Sequence, residues 1–193
     1  GTQLYSGAAT VSTNNLTFAG STVTLGSTLN GGGKSLTITG NAVFDGAVTN
    51  VSSLSVSGST TIATSGITTS GTQTYTGGVT LGADTTLTTT NSLVSFGSTV
   101  DGTHALSISS GTGGVTFSGV VGTTALGAVT LTTSGLTTLS GSFSSSSLSV
   151  GGTVALNGGS VSTSGTQLYS GAATVSTNNL TLAGSTVTLG STL

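Results

Sequence analysis

Cysteine, proline, methionine, tryptophan, arginine and glutamate are all missing from this chain of 193 residues. Without cysteine there is no disulfide framework, no thiolate metal site and no thiol nucleophile. Charge is nearly missing as well. Lys34, Asp45, Asp84 and Asp101 are the four charged side chains, and His104 is the one histidine. A soluble domain ordinarily carries about a quarter charged residues, so groups for acid–base catalysis are scarce. One lysine gives nucleic acid nothing to hold, because phosphate contacts take several cations. No apolar run approaches the roughly 18 residues of a transmembrane helix, so no membrane insertion is expected of this segment.

What remains is glycine (33 residues), serine, threonine and an apolar fraction of 34%, with a mean hydropathy of +0.40. Disordered chains are poor in β-branched and apolar residues, and this one is rich in both. Threonine and valine favour strands, while glycine and asparagine favour turns. The composition therefore predicts an ordered all-β chain whose surface is hydroxyl rather than ionic.

Repeats organise it. Residues 1–29, GTQLYSGAATVSTNNLTFAGSTVTLGSTL, return at 165–193 with one change, Phe18 to Leu182. Gly1 comes back as Gly165, so one full period spans 1–164. A weaker echo lies inside it: GTQTYTG (71–77) answers GTQLYSG (1–7), VSFGSTV (94–100) answers VTLGSTL (23–29), ALSIS (105–109) answers SLTIT (35–39), and TTL (137–139) answers TTI (60–62). Gly1 answers to Gly71 where this echo starts, and Gly71 to Gly165 where it ends. That reads as two sub-units, 1–70 and 71–164, the second longer by about one coil. Residues 1–193 are accordingly read as one continuous segment, with 1–164 a full period and 165–193 the start of the next copy. The segment is expected to be a window on a longer array.

Three-residue cores of the form apolar–Ser/Thr–apolar recur at 16–18, 36–38, 54–56, 106–108, 129–131, 148–150 and 180–182, about 20 residues apart where the series is unbroken. Alternation of period two marks a strand with one face buried. Helical spacing is found nowhere. Short strands returning every ~20 residues predict a parallel β-solenoid with two or three strands per coil. One coil cannot fold alone. Its half-dozen apolar side chains contribute roughly 1.5–3 kcal/mol each when buried, whereas ordering twenty residues costs about 1–2 kcal/mol per residue. Stacking supplies the difference.

GTQTYTGGVTLGADTTLTTT (71–90), VTFSGVVGTTAL (115–126) and GGSVSTSGTQLYSG (158–171) resemble the repeats of giant bacterial surface exoproteins, the filamentous-haemagglutinin-like and β-strand-repeat adhesins. The resemblance covers essentially the whole chain. It implies a right-handed parallel β-helix, secretion to the cell surface or beyond, and service in adhesion or extracellular filaments.

Candidate chemistry is thin. DGTH sets Asp101 three residues before His104, and serine is everywhere, so a triad reading has no specificity. The three aspartates each lie beside a turn. GGGKS (31–35) lacks both the calcium-ligating aspartate of the nonapeptide repeat and the spaced glycines of a phosphate loop. No catalytic, cofactor-binding or metal residue is assigned, and the chain is read as no enzyme. Thr-x-Thr pairs begin at 22, 37, 72, 86, 130 and 186, with no constant spacing near 20, which argues against a stacked ice-binding array. Tyr5, Tyr75 and Tyr169 share the slot GTQ-x-Y and are candidates for stacking between coils or for filament contacts. The functional expectation is a structural fibre or stalk, with copies of the same repeat as partners, head to tail and by lateral bundling. Contacts to cell surfaces or polysaccharide follow from the same expectation. The alternative is a module binding ice or polysaccharide through a Thr/Ser-rich face.

Overall fold

The in–out alternation of the sequence is realised in a computed structural model that describes residues 1–12 and 14–191. Its strands, from Thr2–Tyr5 to Thr186–Leu189, join one sheet in which every ladder is parallel. No helix occurs among the described residues. The chain is a β-solenoid of about nine turns with about 20 residues per turn.

Each turn has three faces, visited in a fixed order. Face I holds the segments 16–18, 36–38, 54–56, 73–75, 94–96, 115–117, 137–139, 154–156 and 173–175, each paired with the next. On face II the first inward residues are Gln3, Val23, Ala42, Thr60, Val79, Val100, Val121, Phe143, Val161 and Leu182. Face III stacks Ala9, Leu29, Val48, Ile67, Leu87, Ile108, Leu131, Val150, Tyr169 and Leu189. The turn length is elastic, short from Thr137 to its partner Val154 and long from Leu106 to its partner Val129. The apolar–Ser/Thr–apolar cores are therefore not one series. Those at 16–18, 36–38 and 54–56 lie on face I, but 106–108, 129–131 and 148–150 lie on face III.

A three-residue strand is the shortest that can point two side chains inward and one outward. The inward ones form a core running from Val23 to Ala173, with Val56, Ile62, Phe96 and Ile108 wholly buried. On face I the inward column carries a stack of rings: Tyr75 to Phe96 at 5.4 Å and 12°, then Phe96 to Phe117 at 4.8 Å and 6°. Backbone bonds run along the axis, as from the Gln73 amide to the Leu93 carbonyl (3.0 Å) and from the Thr76 amide to the Val56 carbonyl (2.9 Å).

The corner between faces I and II explains much of the glycine. Gly58 and Gly77 sit there one above the other, and a Cβ on Gly77 would stand 2.5 Å from the Gly58 carbonyl group. Gly141 meets Gly119 in the same way. At Gly58, Gly77, Gly119 and Gly141 glycine is needed for close approach of backbones, while Gly40, which faces Gly58 in the same seam, also takes a positive φ of 121°.

Candidate functional site

GTQ-x-Y places glutamine at an inward position just after a corner and tyrosine at the next inward position. Gln73 is fully buried on face I. Its Nε2 donates to the carbonyl of Ile67, earlier in the chain on face III (3.1 Å), and to that of Thr88 on face III of the following turn (3.0 Å). Its Oε1 accepts the Tyr75 hydroxyl at 3.0 Å. Gln167 repeats this on face III, donating to Val161 (3.1 Å) and Ala183 (2.8 Å) and accepting from Tyr169 at 2.9 Å. Gln3, half-buried on face II, donates to Ala19 (3.2 Å), and the Tyr5 hydroxyl lies 3.4 Å from its Oε1. The buried amides of Gln73 and Gln167 each donate to carbonyls before and after them in the winding and so tie successive turns together.

Tyr75 and Tyr169 are completely buried. Burial pushes both phenols well above the ordinary tyrosine value by disfavouring the phenolate. Neither ring reaches the surface, so the filament-contact option is withdrawn for these two. Stacking describes Tyr75, on Phe96, and Tyr5 packs its ring 4.6 Å from that of Phe18.

Asp84 and Asp101 act as brackets between turns. Asp84 Oδ1 accepts the Ala105 amide one turn on (2.8 Å), and Asp101 Oδ1 accepts that of Thr124 (3.1 Å). Asn15, Asn41 and Asn91 do the same for Ser35, Ser59 and Thr112. His104 pairs with Asp84, Nδ1 to Oδ1 at 3.4 Å, not with Asp101 as DGTH invites. Both side chains are open to solvent, at 40% and 77% exposure, so the contact contributes little. Asp45 is exposed on another turn. Among the described residues no group of three or more acidic or histidine side chains could hold a metal, and no helix is long and apolar enough to cross a membrane.

The outward side chains are more orderly than their sequence spacing indicates. On face I the middle outward column reads Thr17, Thr37, Ser55, Thr74, Ser95, Thr116, Thr138, Ala155, Thr174. Ala155 alone interrupts this ladder of hydroxyls. On face III two columns run side by side, Thr86–Ser107–Thr130–Ser149 and Thr88–Ser109–Thr132. The Thr-x-Thr pairs at 86 and 130 thus do share one surface position. The unequal steps from Thr86 to Ser107 and from Ser107 to Thr130 carry them there, which corrects the expectation drawn from constant spacing. Adjacent rungs lie ~4.8 Å apart and alternate residues on a rung ~6.6 Å apart, so these columns are a neutral grid of hydroxyls beside shallow grooves lined by Ser109, Thr130 and Ser149.

No protein-family model, curated protein or solved structure matches the chain.

Proposed function

We propose that the chain is a structural shaft, a stiff and nearly uncharged segment of an extracellular fibre or stalk that supports adhesion or cell-surface architecture. The observation that carries the reading is the unbroken sheet and core through about nine turns. Hydrogen bonds aligned with the axis resist stretching, and the ring stack and apolar column resist bending. The outward columns described on faces I and III are mostly short hydroxyls, which hold a hydration layer without charge repulsion between neighbouring shafts. Its partners in this reading are copies of its own repeat, along the axis and side by side, and it performs no catalysis. The resemblance of its repeats to those of giant bacterial exoproteins supports the placement outside the cell. Gold-labelled antibody against this segment, applied to intact cells that make it, tests the proposal. Label along surface fibres is expected. Label that appears only after the cells are opened overturns it.

The face I hydroxyl ladder favours a second reading, a module that binds ice or a neutral polysaccharide. Thr116→Lys, placed mid-ladder, separates the two. Loss of thermal hysteresis or of sedimentation with insoluble polysaccharide supports surface binding, whereas unchanged behaviour supports the shaft.

A further inference from the structure

The three copies of GTQ-x-Y lie on three different faces: Gln3 and Tyr5 on face II, Gln73 and Tyr75 on face I, Gln167 and Tyr169 on face III. Counted along the winding, eleven face positions separate the first copy from the second and fourteen separate the second from the third. Neither number is a multiple of three. Each sub-unit therefore ends two thirds of the way round its last turn, and the longer one exceeds the shorter by one whole turn. Every internal echo obeys the same shift. The segment 23–25 on face II answers 94–96 on face I, 36–38 on face I answers 106–108 on face III, and 60–62 on face II answers 137–139 on face I. Over a full period the shift is one face: Thr17 stands on face I and its counterpart Thr181 on face II.

We propose that the full period, 1–164, acts on the shaft as a screw of ~40 Å and one third of a turn, which hands each surface lane, the hydroxyl ladder of face I included, to the next flank in every period and so lets a second copy of the shaft bind on each of three sides. This deepens the shaft reading and rests on it. The partner is a second copy because a threonine or serine hydroxyl both donates and accepts. Two such ladders match each other without charge, and only an equal rung spacing keeps them in step along their length.

The chain itself carries the first test, since it has no cysteine to interfere. Leu168 lies beside Ser149 on face III. A repeat that returned to the face of its first copy would instead set Leu168 on face II beside Ser144. The pair Ser149→Cys with Leu168→Cys is expected to oxidise to a disulfide without loss of fold, and Ser144→Cys with Leu168→Cys is expected to stay reduced. The opposite result overturns the proposal. Cryo-electron microscopy of the full-length fibre supplies the second test. A rise of ~40 Å with a third of a turn, and lateral contacts on three flanks, supports it. A shaft with that rise and no rotation, or with neighbours on one flank only, overturns it and leaves the shaft reading standing. If no shaft is found, the shaft reading fails, and so does binding of copies on three sides, while the cysteine pairs still decide the one-third shift within the chain.

Discussion

At the scale of single residues the buried polar groups decide most. Gln73, itself fully buried, serves the carbonyls of Ile67 and Thr88 and the phenol of Tyr75. Gln73→Leu is expected to lower stability by about 1–3 kcal/mol, since the buried Tyr75 hydroxyl is left without its acceptor. Gln3→Leu, on a half-exposed rung, is expected to lower it by less than about 1 kcal/mol; urea midpoints of the two variants check the ranking. Thr60 and Thr137 pose the reverse case. Both point into the core with hydroxyls that have no partner among the described residues, and both occupy the first inward position of matching segments. Replacing either by valine keeps the shape and removes an unpaired group, so a gain of about 1 kcal/mol is expected. The buried tyrosines give a pH signature. Their phenols ionise only far above the ordinary value while folded, whereas the unfolded chain releases those protons from about pH 10. The unfolded state then binds fewer protons, so stability present below about pH 10 falls as pH rises above it, by ~1.4 kcal/mol per pH unit for each tyrosine. Tyr75→Phe is expected to flatten that alkaline loss, read as thermal midpoints from mildly to strongly alkaline pH. The GTQ-x-Y spacing is visible in the chain; the glutamine's role is not, because its acceptors, Ile67 and Thr88, lie well behind and well ahead of it.

At the scale of strands and corners the sequence is most readable. The alternation in 36–38 or 115–117 states which side chain goes inward, and the structure agrees residue by residue. The face each strand joins is not readable, because turns as unequal as Thr137 to Val154 and Leu106 to Val129 let equal spacings fall on different faces. Corners hide too. The strand Leu29–Phe44 runs through faces III, I and II without a break, where the chain shows only a cluster of glycines. The seam between faces I and II separates glycines that are needed from those that are tolerated. Gly77→Ala forces a Cβ to 2.5 Å from backbone atoms of Gly58 and is expected to cost about 1–3 kcal/mol, as overpacking does. Gly66→Ala meets its nearest neighbour, the Thr86 carbonyl, at 3.6 Å with an ordinary backbone angle. It is expected to be neutral or to stabilise by up to ~1 kcal/mol through the unfolded chain. Equal losses in thermal unfolding would remove the seam as an explanation.

At the scale of the whole molecule the rule is that a turn may change length while the winding keeps its order. The long period is plain in the chain, but its phase around the axis is not, since phase depends on the sum of every turn length. A solenoid stabilised by nearest neighbours should then lose a turn more easily than half of one. Removal of residues 79–99 joins Gly78 to Val100, the ladder partner of Val79. The downstream residues inherit the places of those removed, with Ile108 for Leu87 and Val115 for Val94. Every inward residue stays inward, so this variant is expected to remain all-β by circular dichroism and resistant to protease, with a thermal midpoint lower by a few degrees, the size expected for losses of about 1 kcal/mol. Removal of residues 79–88 spares more of the chain yet brings Thr89 and Asn91 to the inward positions of Val79 and Leu81. Two polar side chains then face an apolar column with no partners of the kind that serve Gln73, and this shorter deletion is expected to unfold. If both deletions fold equally well, the stacking order is not what selects the fold. If both fail, cooperativity reaches beyond adjacent turns.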